Sequence, residues 1–256
     1  MEEILLRGYV TPEDFEGSDT QRLQKALQMA MEWDLRKVVL EGEYVAEQPI
    51  ELPAPLHLEI LPGAKLTAQL HTPIEKNYSF AKQWLCLNGG GILEGDLQLF
   101  NCAHVTLENL TVTGKVSLEF CRWIRMEDVE TSLLQLGKGC SEGIFQSLNG
   151  QVLLDTRSGC GTAVMGVDPK VRSLILRKLE CAANVPALTL YAQKGIGFCN
   201  ILAEDITAPE TAAYVGDPLQ PNDPRDYFNL SLKRLHAPTR LCTRVPLMNG
   251  YVKDDG

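Results

Sequence analysis

Six side chains in the middle of this 256-residue chain could share one chemical task. If Val116 and Leu118 point inward from a strand, alternation turns Lys115, Ser117 and Glu119 outward. The same alternation turns out Gln135, then Leu153 and Asp155 with Arg157 beyond, and later Thr189 and Tyr191. Glu119 and Asp155 would form a carboxylate pair beside Arg157. Such a pair divides general acid from general base work, as cleavage of a glycosidic bond requires. Lys115, Gln135, Arg157 and Tyr191 would then hold the substrate, by hydrogen bonds or by stacking a sugar ring. The plainer alternative is the solvated face of a repetitive fold, where scattered charges are expected.

Other chemistries find less support. His57, His71, His104 and His236 are dispersed without ligand spacing, which predicts surface or turn histidines and no metal. "LGKGCSEG" lacks the order of a phosphate-binding loop, and no cofactor is expected. The eight cysteines contain no C-x-x-C pair and read as free thiols in a reducing cytoplasm, since "MEEILLRGYV" is no export signal. Asn109 and Asn229 match a glycosylation pattern, which carries no weight in that compartment. Trp33, Trp84 and Trp123 read as core or end-cap residues. With 33 acidic against 24 basic residues, a net of −9, the chain suits neither nucleic acid nor an anionic membrane surface. No apolar run approaches the ~20 residues of a membrane span.

What must position the six side chains is a repeat. "NCAHVTLENLTVTG" from Asn101 is echoed nineteen residues later by "FCRWIRMEDVETS". Stacking at that period aligns Cys102, Cys121 and Cys140, followed by Gly159 beside Cys160. It also aligns Val105, Ile124 and Gly143, then Leu107, Met126, Phe145 and Val164, and then Leu110, Val129, Leu148 and Val167. Asn109, Asp128 and Ser147 make a polar turn column. "VRSLILRKLEC", "FCNILAEDIT" and "YFNLSLKRLHA" repeat the line at looser spacing. Short stacked strands of this period form a solenoid, because one turn cannot bury its apolar residues alone. A leucine-rich repeat has a similar period, but its asparagine–leucine consensus is not held. An all-β, single-stranded parallel β-helix is the expected fold, with strands of four to six residues from Leu85 onward.

One helix precedes it. "SDTQRLQKALQMAMEW" opens on Ser18 with Gln21 three residues on, a capping box. Leu23, Ala26, Leu27, Ala30 and Met31 share a face. The helix at 18–33 should plug the end of the coil, whose open strand edges invite aggregation. No second helix is expected. The strands 38–40, 44–45, 50–52, 56–60 and 65–67 follow, separated by Gly and Pro turns.

With these elements in place, residues 14 to 207 resemble the pectate-lyase-like superfamily of right-handed parallel β-helices. "SDTQRLQKALQ", "VVLEGEY" and "LEILPGAKL" are similar to its capping helix, first strand and P-G-A turn. "GGGILEGDLQLFNCAHVTLENLTV" is most like the polygalacturonase-like glycoside hydrolases. That resemblance implies carbohydrate as ligand and carboxylates on one outward face in the motifs N-T-D, D-D, G-H-G and R-I-K. Here "SLLQLGKG" stands for the first and holds no carboxylate. Asp155 alone answers the second, Gly159-Cys160-Gly161 the third, and Leu188-Thr189-Leu190 the fourth. "GTAVMG" belongs to the "HVTLEN" column by counting and to the neighbouring strand by resemblance.

The chain is therefore expected to be one β-helix domain over 1–256. Its parts are the capping helix at 18–33, coils over 36–207, and a loop, last strand and tail over 208–256. It is expected to be cytoplasmic and could self-associate through the coil ends. Two functions stay open. One is a non-catalytic carbohydrate-binding or structural member. The other is an intracellular glycoside hydrolase or lyase with a relocated carboxylate site at Asp155 and Glu119.

Overall fold

The computed structural model describes residues 2–74, 84–157, 159, 164, 166–219, 221–241 and 251–253. Their strands all pair in parallel and wind as a parallel β-helix with three faces. The hand is right, the sense that parallel crossovers take. The first face runs from Lys37–Leu40 and Leu56–Ile60 to Tyr251–Lys253. The second begins with Glu43–Val45 and Lys65–Thr67. The third begins with Ile50–Glu51, Leu70–His71 and Leu97–Phe100.

Buried residues explain the turns. Along one coil Cys102, Val105, Leu107, Leu110, Val112, Val116 and Leu118 face the core. The three-residue steps from 102 to 105 and from 107 to 110 break strict alternation. At each step one residue takes left-handed backbone: His104 (φ 56°) and Asn109 (φ 47°). That residue bends the strand and resets which side chains point inward. Both corners stack into columns: His104, Trp123, Glu142, Ser173, Asn200 and Asn229, and Asn109, Asp128, Ser147, Lys178, Asp205 and Arg234. Left-handed backbone costs an ordinary L-residue about 1–2 kcal/mol, and Asn and Asp tolerate it best. Packing of the columns must outweigh that cost. Because the ladder continues round the corners, Val105–Glu119, Arg122–Leu136 and Ser141–Asp155 are continuous strands of 15 residues rather than separate short ones.

The nineteen-residue period holds from Thr106 to Arg125 to Ile144, then lapses. Ile144 pairs with Ile175, thirty-one residues on. The cysteine column passes to Val171, and the columns of Leu107 and Leu110 pass to Leu176 and Leu179, not to Val164 and Val167. The extra residues lie between the Ser141–Asp155 and Val171–Glu180 strands. Val164 and Val167 pack outside the coil on Phe100 and Phe120, whose rings meet edge-on at 5.6 Å. "GTAVMG" thus joins neither expected strand through Val164, and Cys160 and Gly161 lie outside the described residues. Cys102, Cys121 and Cys140 are buried free thiols. Burial pushes the Cys140 thiol up to about 12.

The capping helix spans Asp19–Glu32. Gln21 N–H donates to Ser18 Oγ at 3.4 Å and Ser18 N–H donates to Gln21 Oε1 at 3.1 Å. Its Leu23, Ala26, Leu27 and Ala30 are buried over the coil end. Val10 adds cover by pairing with the edge of the first strand, donating to Lys37 O and accepting from Val39 N–H. A second short helix, Glu2–Arg7, precedes it, contrary to the single-helix expectation, and its half-buried Ile4 packs against the core. Trp33 is the helix C-cap and packs on the core, but Trp84 and Trp123 are exposed rather than core.

Candidate functional site

The third face carries the site because its outward residues stack in straight columns. Register sets His71 beside Gln98, Gln98 beside Ser117, Ser117 beside Gln135, and Gln135 beside Leu153. Two positions on, Phe100 stands beside Glu119, and Asp155 beside Tyr191. Gly137 holds the rung between Glu119 and Asp155. Side chains in one column repeat at the strand spacing of ~4.8 Å, so Glu119 and Asp155 stand about 10 Å apart at the backbone.

A cleft of about 390 Å³ opens over these columns. His71, Gln98, Lys115, Ser117, Glu119 and Gln135 give it polar groups, and Phe100 an aromatic edge. Its floor is held firmly. Asp96 Oδ1 accepts the Lys115 N–H at 2.8 Å, and Thr72 Oγ1 accepts the Phe100 N–H at 2.8 Å. Glycine makes room for Glu119. A Cβ at Gly159 (φ 152°) would lie 2.1 Å from Glu119 Oε1, and one at Gly137 would touch Glu119 Cγ at 3.4 Å.

Asp155, Arg157 and Tyr191 lie elsewhere. Asp155 is only 5% exposed, and both its oxygens accept from Arg157, each at 3.0 Å. Arg157 also pairs with the buried Asp217 and lies 4.1 Å over the Tyr191 ring. These bonds, Asp155's first, hold Arg157 protonated beyond its ordinary range. Burial, then the neighbouring Tyr214, pushes the Tyr191 phenol up. A carboxylate so engaged accepts hydrogen bonds but is poorly placed to shuttle a proton. Lys115, Gln135 and Glu119 therefore meet at one cleft, whereas Asp155, Arg157 and Tyr191 form an ion-paired cluster in the later coils.

His71, Thr72, Gln98 and Phe100 were missed by sequence reasoning. The signal was present for Gln98: Leu97 and Leu99 precede Val116 and Leu118 by the same nineteen residues. Among the described residues no group of three or more His, Cys, Asp or Glu could hold a metal ion.

No family model and no curated protein matches the chain. Among solved structures it is similar to the catalytic domain of a GH87 α-1,3-glucanase in complex with tetrasaccharides. The TM-score is 0.48 at 11% identity, over 89% of this chain and 54% of that one. A nigerose complex of a GH87 α-1,3-glucanase gives 0.46 at 10%, over 91% and 56%. The Streptococcus pneumoniae surface protein and adhesin PfbA gives 0.40 at 9%, over 97% and 98%. The chain thus spans little more than half of the glucanase domains it matches. Likenesses this distant carry no argument about activity. The strand register itself makes this chain a single-stranded parallel β-helix with an N-terminal capping helix.

Proposed function

We propose that the cleft on the third face binds a short saccharide and that the protein is a carbohydrate-binding β-helix without glycosidase machinery. The observation that carries this reading is the row His71, Gln98, Ser117 and Gln135. It sets hydrogen-bonding groups at ~4.8 Å intervals, close to the length of one pyranose unit. Lys115 and Glu119 flank the row, and the cleft's volume falls in the range of small-molecule sites. Glu119 is the single carboxylate among the described residues that line it. Hydrolysis by acid and base needs two. A second reading keeps Glu119 and Asp155 as a catalytic pair, favoured by their shared column. It requires Arg157 to release Asp155 when substrate arrives.

Calorimetric titration with neutral and uronic-acid oligosaccharides, run beside an assay for reducing-end release, separates the readings. Saturable binding without release is expected, weakened about threefold to tenfold by Gln98→Ala or Gln135→Ala. Release abolished by Glu119→Gln or Asp155→Asn would establish the second reading instead. Neither binding nor release would overturn the saccharide assignment.

A further inference from the structure

The two ends of the cleft differ. His71, Gln98, Ser117 and Gln135 form one column of outward positions, and the strand register continues it in both directions. Before His71 it reaches Glu51, which is exposed, so the cleft is open there among the described residues. After Gln135 it passes the half-buried Leu153 and reaches Thr189, which is 3% exposed. In the neighbouring column Glu119 and Gly137 line the cleft, and the next rung is the buried Asp155. Thr189 and Asp155 alternate with the core residues Leu188, Leu190 and Leu154, so both point away from the coil interior. An outward side chain on one sheet face is buried only where other groups lie on that face.

Those groups form a fixed wall. Arg157 lies across Asp155 and 4.1 Å over the Tyr191 ring, and the Tyr191 and Tyr214 rings meet edge-on at 6.2 Å. Asp217, paired with Arg157, follows the Ala213–Val215 strand and is itself held. Its carboxylate accepts the Leu219 N–H at 2.8 Å, and its own N–H donates to Asn222 Oδ1 at 2.8 Å. Charge-assisted bonds among buried groups are strong, and here they brace one another. One long side of the cleft is walled as well. Gly159 lines it against Glu119, and Val164 of the same segment packs on Phe100 and Phe120.

We infer that the cleft is a dead-end groove that takes the terminus of a saccharide chain and not its middle. The inference rests on the saccharide reading of the cleft. A chain laid along the row runs out past His71 toward solvent at one end. At the other it meets Arg157 and its partners, so an internal stretch cannot cross the floor without striking the wall. The four polar rungs span three strand spacings, about 14 Å, which is room for about four sugar units at one per rung. A saccharide chain has two unlike ends, so each chain offers one fitting terminus.

Glucan and polyuronate oligomers of uniform length, from two to about forty units, test the inference on the full chain. Titration calorimetry gives the affinity, and light scattering of the complexes gives the number of proteins per chain. For the oligomers that bind, affinity should rise up to about four units and then stay level within about twofold. One protein should bind each chain even at about forty units, and an oligomer of about eight units with a bulky group on both termini should bind about tenfold more weakly or worse. Two or more proteins on one long chain, an affinity that keeps climbing with length, or undiminished binding of the doubly blocked oligomer would each overturn the inference and leave the saccharide reading standing. No binding at any length would overturn both.

Discussion

Phe145 and Gly143 are two residues apart on one strand and solve one packing problem together. In the coil before, their places are taken by Met126 and Ile124. Phe145 is larger than Met126, and the space for its ring comes from the side chain that Gly143 lacks. A Cβ at Gly143 would lie 2.5 Å from Phe145 Cε2 and 3.0 Å from Leu174 Cδ2. Gly143→Ala should therefore overpack the core and cost about 1–3 kcal/mol. Phe145→Leu should leave a void and cost about 1–2 kcal/mol. Made together, the two changes should cost clearly less than their sum, measured as a double-mutant cycle by urea unfolding. Strict additivity would show that Gly143 serves the backbone and not the ring.

At the scale of elements, corners and their anchors matter most. The chain departs from sheet geometry at the two left-handed columns, and these are legible in advance. A buried residue followed three positions later by another, as from Leu107 to Leu110, marks a corner between. The short 3-10 turn Pro224–Asp226 is anchored differently: Asp226 accepts the Gly195 N–H at 3.1 and 3.2 Å from its two oxygens. Burial raises the Asp226 pKa, with the Gly195 bond opposing it. A raised folded value means that the favourable contribution is full below the unfolded carboxylate pKa and is lost as pH rises through the folded one. Glu204 and Asp205 run the other way. Burial opposes ionisation of Glu204, but Arg177 and Arg234 outweigh it, and Arg234 lowers Asp205. Their contribution is full above the unfolded value and lost as pH falls through the lowered ones. Asp226→Asn keeps an acceptor but no charge. Its melting temperature should gain on the wild type as pH rises from about 3 to 7. A difference that is flat with pH, or that falls, would contradict the assignment of Asp226.

For the whole molecule, the stacked coils make a one-dimensional object whose ends are its weak points. The N-terminal end is closed by the Asp19–Glu32 helix over Val38, Leu58, Leu66 and Leu70, and by Val10 on the first strand edge. Deleting residues 2–33 uncovers both the apolar floor and the unpaired edge, so the truncated chain should aggregate while the intact chain does not. Light scattering of the two at equal concentration measures this. A soluble, monodisperse truncation would mean that the coil end needs no cap.

Taken alone, the amino-acid order determined the kind of fold, the capping helix and the inward columns through Cys140. Those features depend on contacts between residues at a constant separation, which spacing displays directly. It also turned Lys115, Glu119 and Gln135 to one face, because alternation on a strand is local. Three-dimensional packing decided the rest. The coil after Ile144 is twelve residues longer than those before it, and Val164 and Val167 within it pack outward on Phe100 and Phe120. No fixed period could place that segment, since its partners lie some forty to sixty residues back on another face. The bridging of Asp155 and Asp217 by Arg157 was likewise decided by tertiary structure, because Asp217 arrives from a later coil. That contact, more than any missing motif, separates the carboxylate in the cleft from the one the sequence set beside it.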